Sequence, residues 1–293
     1  VTTWCAAGEQ ARADGFEHWP PEPPAPSTAK RLPTPGKRQG NRSASGYLMP
    51  DCAGVVVKDW TTGERFTYWA DRQYEPNPIE RHQNAQAARE RQAKAKAAQD
   101  ERHRLGTLSA RTVWLAATPC TDHPYMRSKG ETLPGCRVDA DGWLLVPRID
   151  VDGNLIGLQR IDATGGKRYW PGAPTAGTLY LLGRIIDDGT IIVCEGAATG
   201  ATLHRETRHA VACAMDAGNL LAVCRALRAR YPRADIVAAA DDDRGTTGNP
   251  GRKAATAAAG AVGGRVAFPE LCRACRCTDF NDQSACERRR GAA

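Results

Sequence analysis

Two stretches, TIIVCEGAATG at 190–200 and DIVAAADDDRG at 235–245, decide the fold. Each opens on a short apolar run bounded by turn residues, the length and composition of a buried strand. Each then runs straight into acid, Cys194-Glu195-Gly196 after the first and Asp241-Asp242-Asp243 after the second. Working outward, HAVACA (209–214) and RVAFP (265–269) read as two more strands. GAATGATLHRET (196–207), NLLAVCRALRARY (219–231) and GRKAATAAAGAV (251–262) read as helices, the middle one with Leu220, Val223, Leu227 and Tyr231 on one face. Apolar strands alternating with helices predict an α/β unit, a four-stranded parallel sheet flanked by helices. Sites in such sheets lie at the carboxyl ends of the strands.

Both acidic sets are expected at one edge of that sheet. Parallel neighbours stand about 4.8 Å apart, so carboxylates leaving two adjacent strands can share a cation. Asp241 and Asp243 lie two apart and point the same way from extended backbone, while Asp242 faces elsewhere. Crowded carboxylates repel one another unless a divalent ion neutralises them. A hard, oxygen-rich set suits Mg²⁺ or Mn²⁺ bridging to phosphates. A run of Asp could instead merely solvate a loop and cap a helix, but Glu-Gly after one strand together with Asp-x-Asp after another argues against that.

This pattern resembles the Toprim domain shared by bacterial-type primases, type IA and II topoisomerases and some nucleases, and the resemblance covers roughly 178–285. Thr278-Asp279-Phe280-Asn281-Asp282 resembles the Asp-x-Asn element that closes the site in primases, which implies Asp279 as a further metal-facing acid. The resemblance thus implies Glu195, Asp241 and Asp243 as catalytic residues and, with Asp279, as metal ligands.

The segment upstream discriminates among Toprim enzymes. WLLVPRIDVDGNLIGLQRIDATGGKRYWPGAPTAGTLYLLG (143–183) predicts strands at 142–149 and 154–161 joined by a turn at Asp152-Gly153-Asn154. It is similar to the segment that precedes Toprim in bacterial replicative primases: an Asp-Gly turn, an Ile-Gly strand ending in Arg160, a Lys-aromatic-Pro element from Lys167 to Pro171, and a Leu-Tyr-Gly entry. HPYMRSKG (123–130) resembles the Tyr-Leu-x-x-Arg-Gly helix of primases and is expected to end at Gly130.

The chain as a whole looks most like plasmid- and phage-encoded Toprim primases. The resemblance implies primer synthesis on single-stranded DNA from nucleoside triphosphates. Arg160, Lys167, Arg168 and Lys253 would hold template or triphosphate. GTTGNPGRK (245–253) fails the phosphate-loop spacing, so unwinding is expected from a separate replicative helicase. Two departures stand out. Thr199 occupies the position where primases often carry a second acid, and Trp170-Pro171 stand where an Asn is expected. A Toprim nuclease and a non-catalytic nucleic-acid-binding or accessory protein of a mobile element therefore stay open as alternatives.

The remaining organisation follows from composition. Residues 1–75 are read as a degenerate finger-like, β-hairpin-rich region with Pro-rich disorder, in which GVVVKDW (54–60) and RFTYWA (65–70) form a hairpin. Its two cysteines, Cys5 and Cys52, are too few for a zinc finger. Residues 76–104, as in AQAARERQAKAKAAQDERHR, lack an apolar stripe and are read as a charged helical linker. Residues 105–177 form a small α+β primase-core subdomain with a helix over SARTVWLAA (109–117), 178–285 the Toprim domain, and 286–293 a basic tail.

The 293 residues carry 40 basic and 33 acidic side chains, a net charge of +7 compatible with phosphate-bearing partners. No apolar run approaches the ~18 residues of a membrane span and no signal peptide opens the chain, so a cytoplasmic protein is expected. Of 11 cysteines, Cys272, Cys275, Cys277 and Cys286 cluster. Four thiolates could close a zinc site, but the usual two-pair spacing is missing and reduced thiols are the preferred reading.

Overall fold

The computed structural model describes residues 3–24, 28–49, 53–69, 78–272 and 276–286, without the side chains of 78–85, 87, 88 and 91. The chain divides into two units, Val1–Ala98 and Gln99–Ala293.

The first unit packs helix α1 (Thr3–Ala13) on an antiparallel sheet of β1 (Lys30–Leu32), β2 (Ala44–Leu48), β3 (Gly54–Asp59) and β4 (Arg65–Trp69), in that spatial order. The expected hairpin is β3–β4, with Val56 opposite Thr67. Aromatic side chains supply most of the core: Trp4, Phe16, Trp19 and Tyr68 surround Leu32, Val55 and Val57. Trp4 and Trp19 lie 4.7 Å apart, ring to ring, and Trp19 Nε1 donates to the Trp4 carbonyl. The helix and the two strands β1 and β2 come from stretches whose apolar residues are too sparse to announce them.

Helix α2 (Pro78–Ala116) runs unbroken through the charged segment and the SARTVWLAA segment, one helix where two were expected. Gly106 does not interrupt it. A Cβ there would stand 2.3 Å from the backbone of Gly172 and Ala173, so the glycine serves close packing rather than a turn.

In the second unit, β5 (Thr118–Pro119), β6 (Arg137–Val138), β7 (Leu144–Ile149), β8 (Leu155–Ile161) and β9 (Lys167–Tyr169) form an antiparallel sheet in chain order. One face of this sheet, with Leu145 and Leu158, packs on Ala110, Val113 and Trp114 of α2. The other, with Leu144, Val146, Ile161 and Tyr169, joins the core shared with the sheet that follows. Helix α3 (Pro124–Lys129) is capped by His123, whose Nδ1 accepts from the Tyr125 amide. It ends as expected at Gly130 in the left-handed conformation.

The final sheet holds β10 (Tyr180–Leu182), β11 (Thr190–Cys194), β12 (Ala210–Cys213), β13 (Asp235–Ala239) and β14 (Arg265–Ala267) in the order β10-β12-β11-β13-β14. The four strands read from sequence are parallel, and β10 adds an antiparallel edge beside β12. Helices α4 (Ala197–Thr207), α5 (Leu220–Arg230) and α6 (Pro250–Gly260) connect them, and α7 (Phe280–Ala285) follows the last strand. α5 and α6 pack on one face through Val223, Leu227, Ala255 and Ala258, and α4 packs on the other through Ala198 and Ala201. No helix of the described residues is long and apolar enough to cross a membrane.

Candidate active site

β11 is the central strand, with β12 on one side and β13 on the other. Cys194 stands opposite Cys213 and Ala239, so the residues that follow all three strands emerge at one rim. Backbone bonds fix these exits. The Ala214 and Met215 amides donate to the Cys194 and Glu195 carbonyls, both at 2.8 Å. The Ala240 amide donates to Ala267 at 2.9 Å, and the Asp242 amide to Thr278 at 2.7 Å, which brings the segment before α7 to the end of β13.

Glu195 and Asp241 are half-buried at that rim with more negative than positive charge around them. Burial raises the Glu195 pKa first, Asp243 and Asp216 raise it further, and Lys167 opposes them. Asp241 is pushed up to about 8 by burial, then by Glu195, Asp279 and Asp243, again against Lys167. Asp241 Oδ1 is buried without a hydrogen-bond partner. Two carboxyls with raised proton affinity and an orphaned oxygen fit a site that would accept a cation.

Among the described residues no three His, Cys, Asp or Glu side chains are gathered closely enough to form a metal cage. Mg²⁺ does not require one: it keeps several waters and commonly uses one or two carboxylates plus substrate phosphates. The pair Glu195 and Asp241 fits that mode. Asp243 and Asp279 act on Asp241 through charge while their own oxygens are partly engaged. Asp243 Oδ2 accepts from the Gly251 amide at 3.1 Å, and Asp279 caps α7 by accepting from Asp282 at 2.8 Å. Asp242 turns away, as the alternation predicts, and binds Asn249, Arg244 and Arg252.

The four basic residues singled out from sequence are not all at this rim. Lys167 is, by its effect on both central carboxyls. Arg160 and Arg168 pair across β8 and β9 on the opposite face of their sheet. There Arg160 lies 5.1 Å from the Trp143 and Trp170 ring centres and Arg168 lies 5.7 Å from Trp143. Lys253 sits on α6 with its ammonium against Gly248, and it is absent from the charges that move Glu195 or Asp241. Thr199 is buried inside α4. Of the cysteine cluster, Cys275 lies outside the described residues, as does Cys52. Cys272 and Cys286 bring their sulfurs within 3.9 Å.

Asp216 and Arg148 are site residues that the sequence did not announce. Asp216 follows β12 as a lone acid, and Arg148 reads as an ordinary hairpin charge although it is fully buried.

The comparison with known families settles the domain. Residues 190–289 match the Toprim domain family. These 100 residues, about a third of the chain, carry the Toprim fold. Toprim domains work with a divalent cation, in keeping with the strained carboxyls of this rim. The chain is 33% identical over 277 residues to an Escherichia coli protein named DNA primase TraC, covering 89% of this chain and 24% of that one. A second Escherichia coli DNA primase TraC is 30% identical over 280 residues, covering 90% and 18% respectively. The chain thus spans about a quarter or less of the length of these relatives. The primase fragment of the bacteriophage T7 primase-helicase protein aligns over 90% of this chain and 97% of its own, at 14% identity and a TM-score of 0.44. Since the match covers nine-tenths of the chain, the similarity to the TraC primases is not confined to the 100 residues of the Toprim match.

Proposed function

We propose that this chain is a DNA primase core, which joins nucleoside triphosphates into short primers on single-stranded DNA. The observation that carries the reading is the rim itself. Asp243 raises the proton affinity of both Glu195 and Asp241, Asp279 that of Asp241, and Lys167 opposes both, in a chain similar along nine-tenths of its length to DNA primases.

Joining two nucleotides requires a 3′-hydroxyl to attack an α-phosphate while pyrophosphate departs. Bound Mg²⁺ or Mn²⁺ would lower the hydroxyl's pKa and neutralise the leaving charge. Glu195 and Asp241 are the proposed direct ligands, and Asp243 and Asp279 add negative potential from the neighbouring loops. Lys167, the cation beside both carboxyls, is placed to hold a phosphate of the incoming triphosphate. Arg160 and Arg168, presented with Trp143 and Trp170, offer a separate surface of cations and rings that suits stacked single-stranded bases. Template is assigned to that face and triphosphate to Lys167. Lys253 and the cysteine cluster receive no part in the chemistry.

A replicative helicase is the proposed source of single strand, and the cytoplasm the proposed compartment. The test is incubation of the chain with single-stranded DNA, ribonucleoside triphosphates and Mg²⁺ or Mn²⁺. New short oligomers that disappear in Asp241→Asn support the proposal. A shortened template would assign a nuclease, and a gel shift alone a binding protein.

A further inference from the structure

Between the rim and the β5–β9 sheet runs one continuous set of contacts. Arg148 is wholly buried, its Nη2 donating to the Pro174 carbonyl at 2.9 Å and to Thr178 Oγ1. Its guanidinium lies 4.6 Å from the centre of the Tyr169 ring. The Tyr169 hydroxyl in turn donates to Asp216 Oδ2 at 2.5 Å. Asp216 Oδ1 accepts from the Asn219 amide at 2.9 Å, and both Asp216 and the amide of Ala217, the next residue, act on the proton affinity of Glu195.

The loop that carries Asp216 is held on every side. Asn219 donates to the Thr178 and Ala214 carbonyls, each at 2.8 Å, and accepts from the Gly177 amide at 2.7 Å. Met215 adopts φ 72°, a conformation that a long side chain enters only where its surroundings compel it. Lys167 and Tyr169 stand two apart on β9, so they share one face while Arg168 takes the other. Fixing Tyr169 therefore fixes the face on which Lys167 meets the carboxylates.

We infer that Asp216 and Tyr169 are positioning residues, a clasp that holds Lys167 over the metal-binding rim. The inference rests on the proposed role of Lys167 in holding triphosphate. Neither residue of the clasp touches substrate. The short β9 strand has only three residues of pairing with β8, so the hydroxyl bond is the anchor on its free side.

Two measurements on the full chain test the clasp. The first is the acetylation rate of Lys167 read by mass spectrometry, with Lys253 as internal reference. Tyr169→Phe, which keeps the ring over Arg148, and Asp216→Asn should each raise that rate relative to Lys253. About fivefold is expected, the size of one lost hydrogen bond. Unchanged rates in both variants would overturn the clasp, whether or not the wild type makes primers. The second is the nucleotide dependence of primer synthesis. Both variants should raise the nucleotide KM about fivefold with little change in kcat, and neither should worsen Lys167→Ala further. A KM that rises in Lys167→Ala but not in Tyr169→Phe would also overturn it. Absence of primers from the wild type would instead count against the primase reading, and the acetylation rates would still decide the clasp.

Discussion

Glu195 and Asp241 leave the ends of two hydrogen-bonded parallel strands, and the Glu195 charge raises the proton affinity of Asp241. With Asp241 Oδ1 unpartnered and buried, the pair is costly as two anions, and on the proposed reading a divalent cation would relieve it. From this follows the first expected outcome. Asp241→Asn should lower primer synthesis at least about 100-fold while leaving circular dichroism unchanged and without lowering Tm. The check is a melting curve beside a primer assay on the same preparation.

The pH dependence of stability has a definite sign. Asp241 binds its proton more tightly folded, with a pKa of about 8, than at its ordinary value of 3.8. The folded state is therefore favoured below the ordinary value, and that advantage is lost as pH rises toward 8. Without metal, Tm should fall across this window. Added Mg²⁺ should raise Tm most at the alkaline end, because the cation competes with the proton. Asp241→Asn should flatten both trends. Differential scanning calorimetry at several pH values, with and without Mg²⁺, is the measurement.

The two faces of β8 and β9 should separate kinetically. Lys167→Ala is expected to raise the nucleotide KM about tenfold, the range of one charge-assisted hydrogen bond. Arg168→Ala should leave that KM alone, weaken binding to single-stranded DNA and reduce the slope of log affinity against log salt by about 0.7. Steady-state primer synthesis and a salt titration of DNA binding distinguish the two.

Gly106 should tolerate no side chain. Gly106→Ala places a methyl group 2.3 Å from the Gly172 and Ala173 backbone, so helix α2 must shift away from that turn. The expected loss is about 1–3 kcal/mol, as for an overpacked core, read by urea unfolding.

How much of this was legible follows from where the signal resides. The Toprim strands and helices announce themselves because TIIVC and DIVAAA are continuous apolar runs ending in acid. β10 passes unnoticed because a three-residue edge strand has no pattern of its own. Helix α1 has only Trp4 as a large buried side chain amid small and polar residues, too little for a periodic signal. The charged stretch and SARTVWLAA differ so much in composition that one continuous helix is not apparent, and Gly106 between them is a point of close approach. Lys167 at the rim follows from its motif, whereas the opposite placement of Arg160 and Arg168 depends on strand register, which alternation alone does not assign to a face. Asp216 and Arg148 are single charges with partners 47 and 30 residues away in the chain.

The most direct measurement is diffraction from crystals of the full chain soaked in MnCl₂, with anomalous maps phased from the protein. A manganese peak bounded by the carboxylates of Glu195 and Asp241, and lost in Asp241→Asn, is the predicted result. An empty rim at millimolar Mn²⁺, or a peak ligated by neither residue, would contradict it.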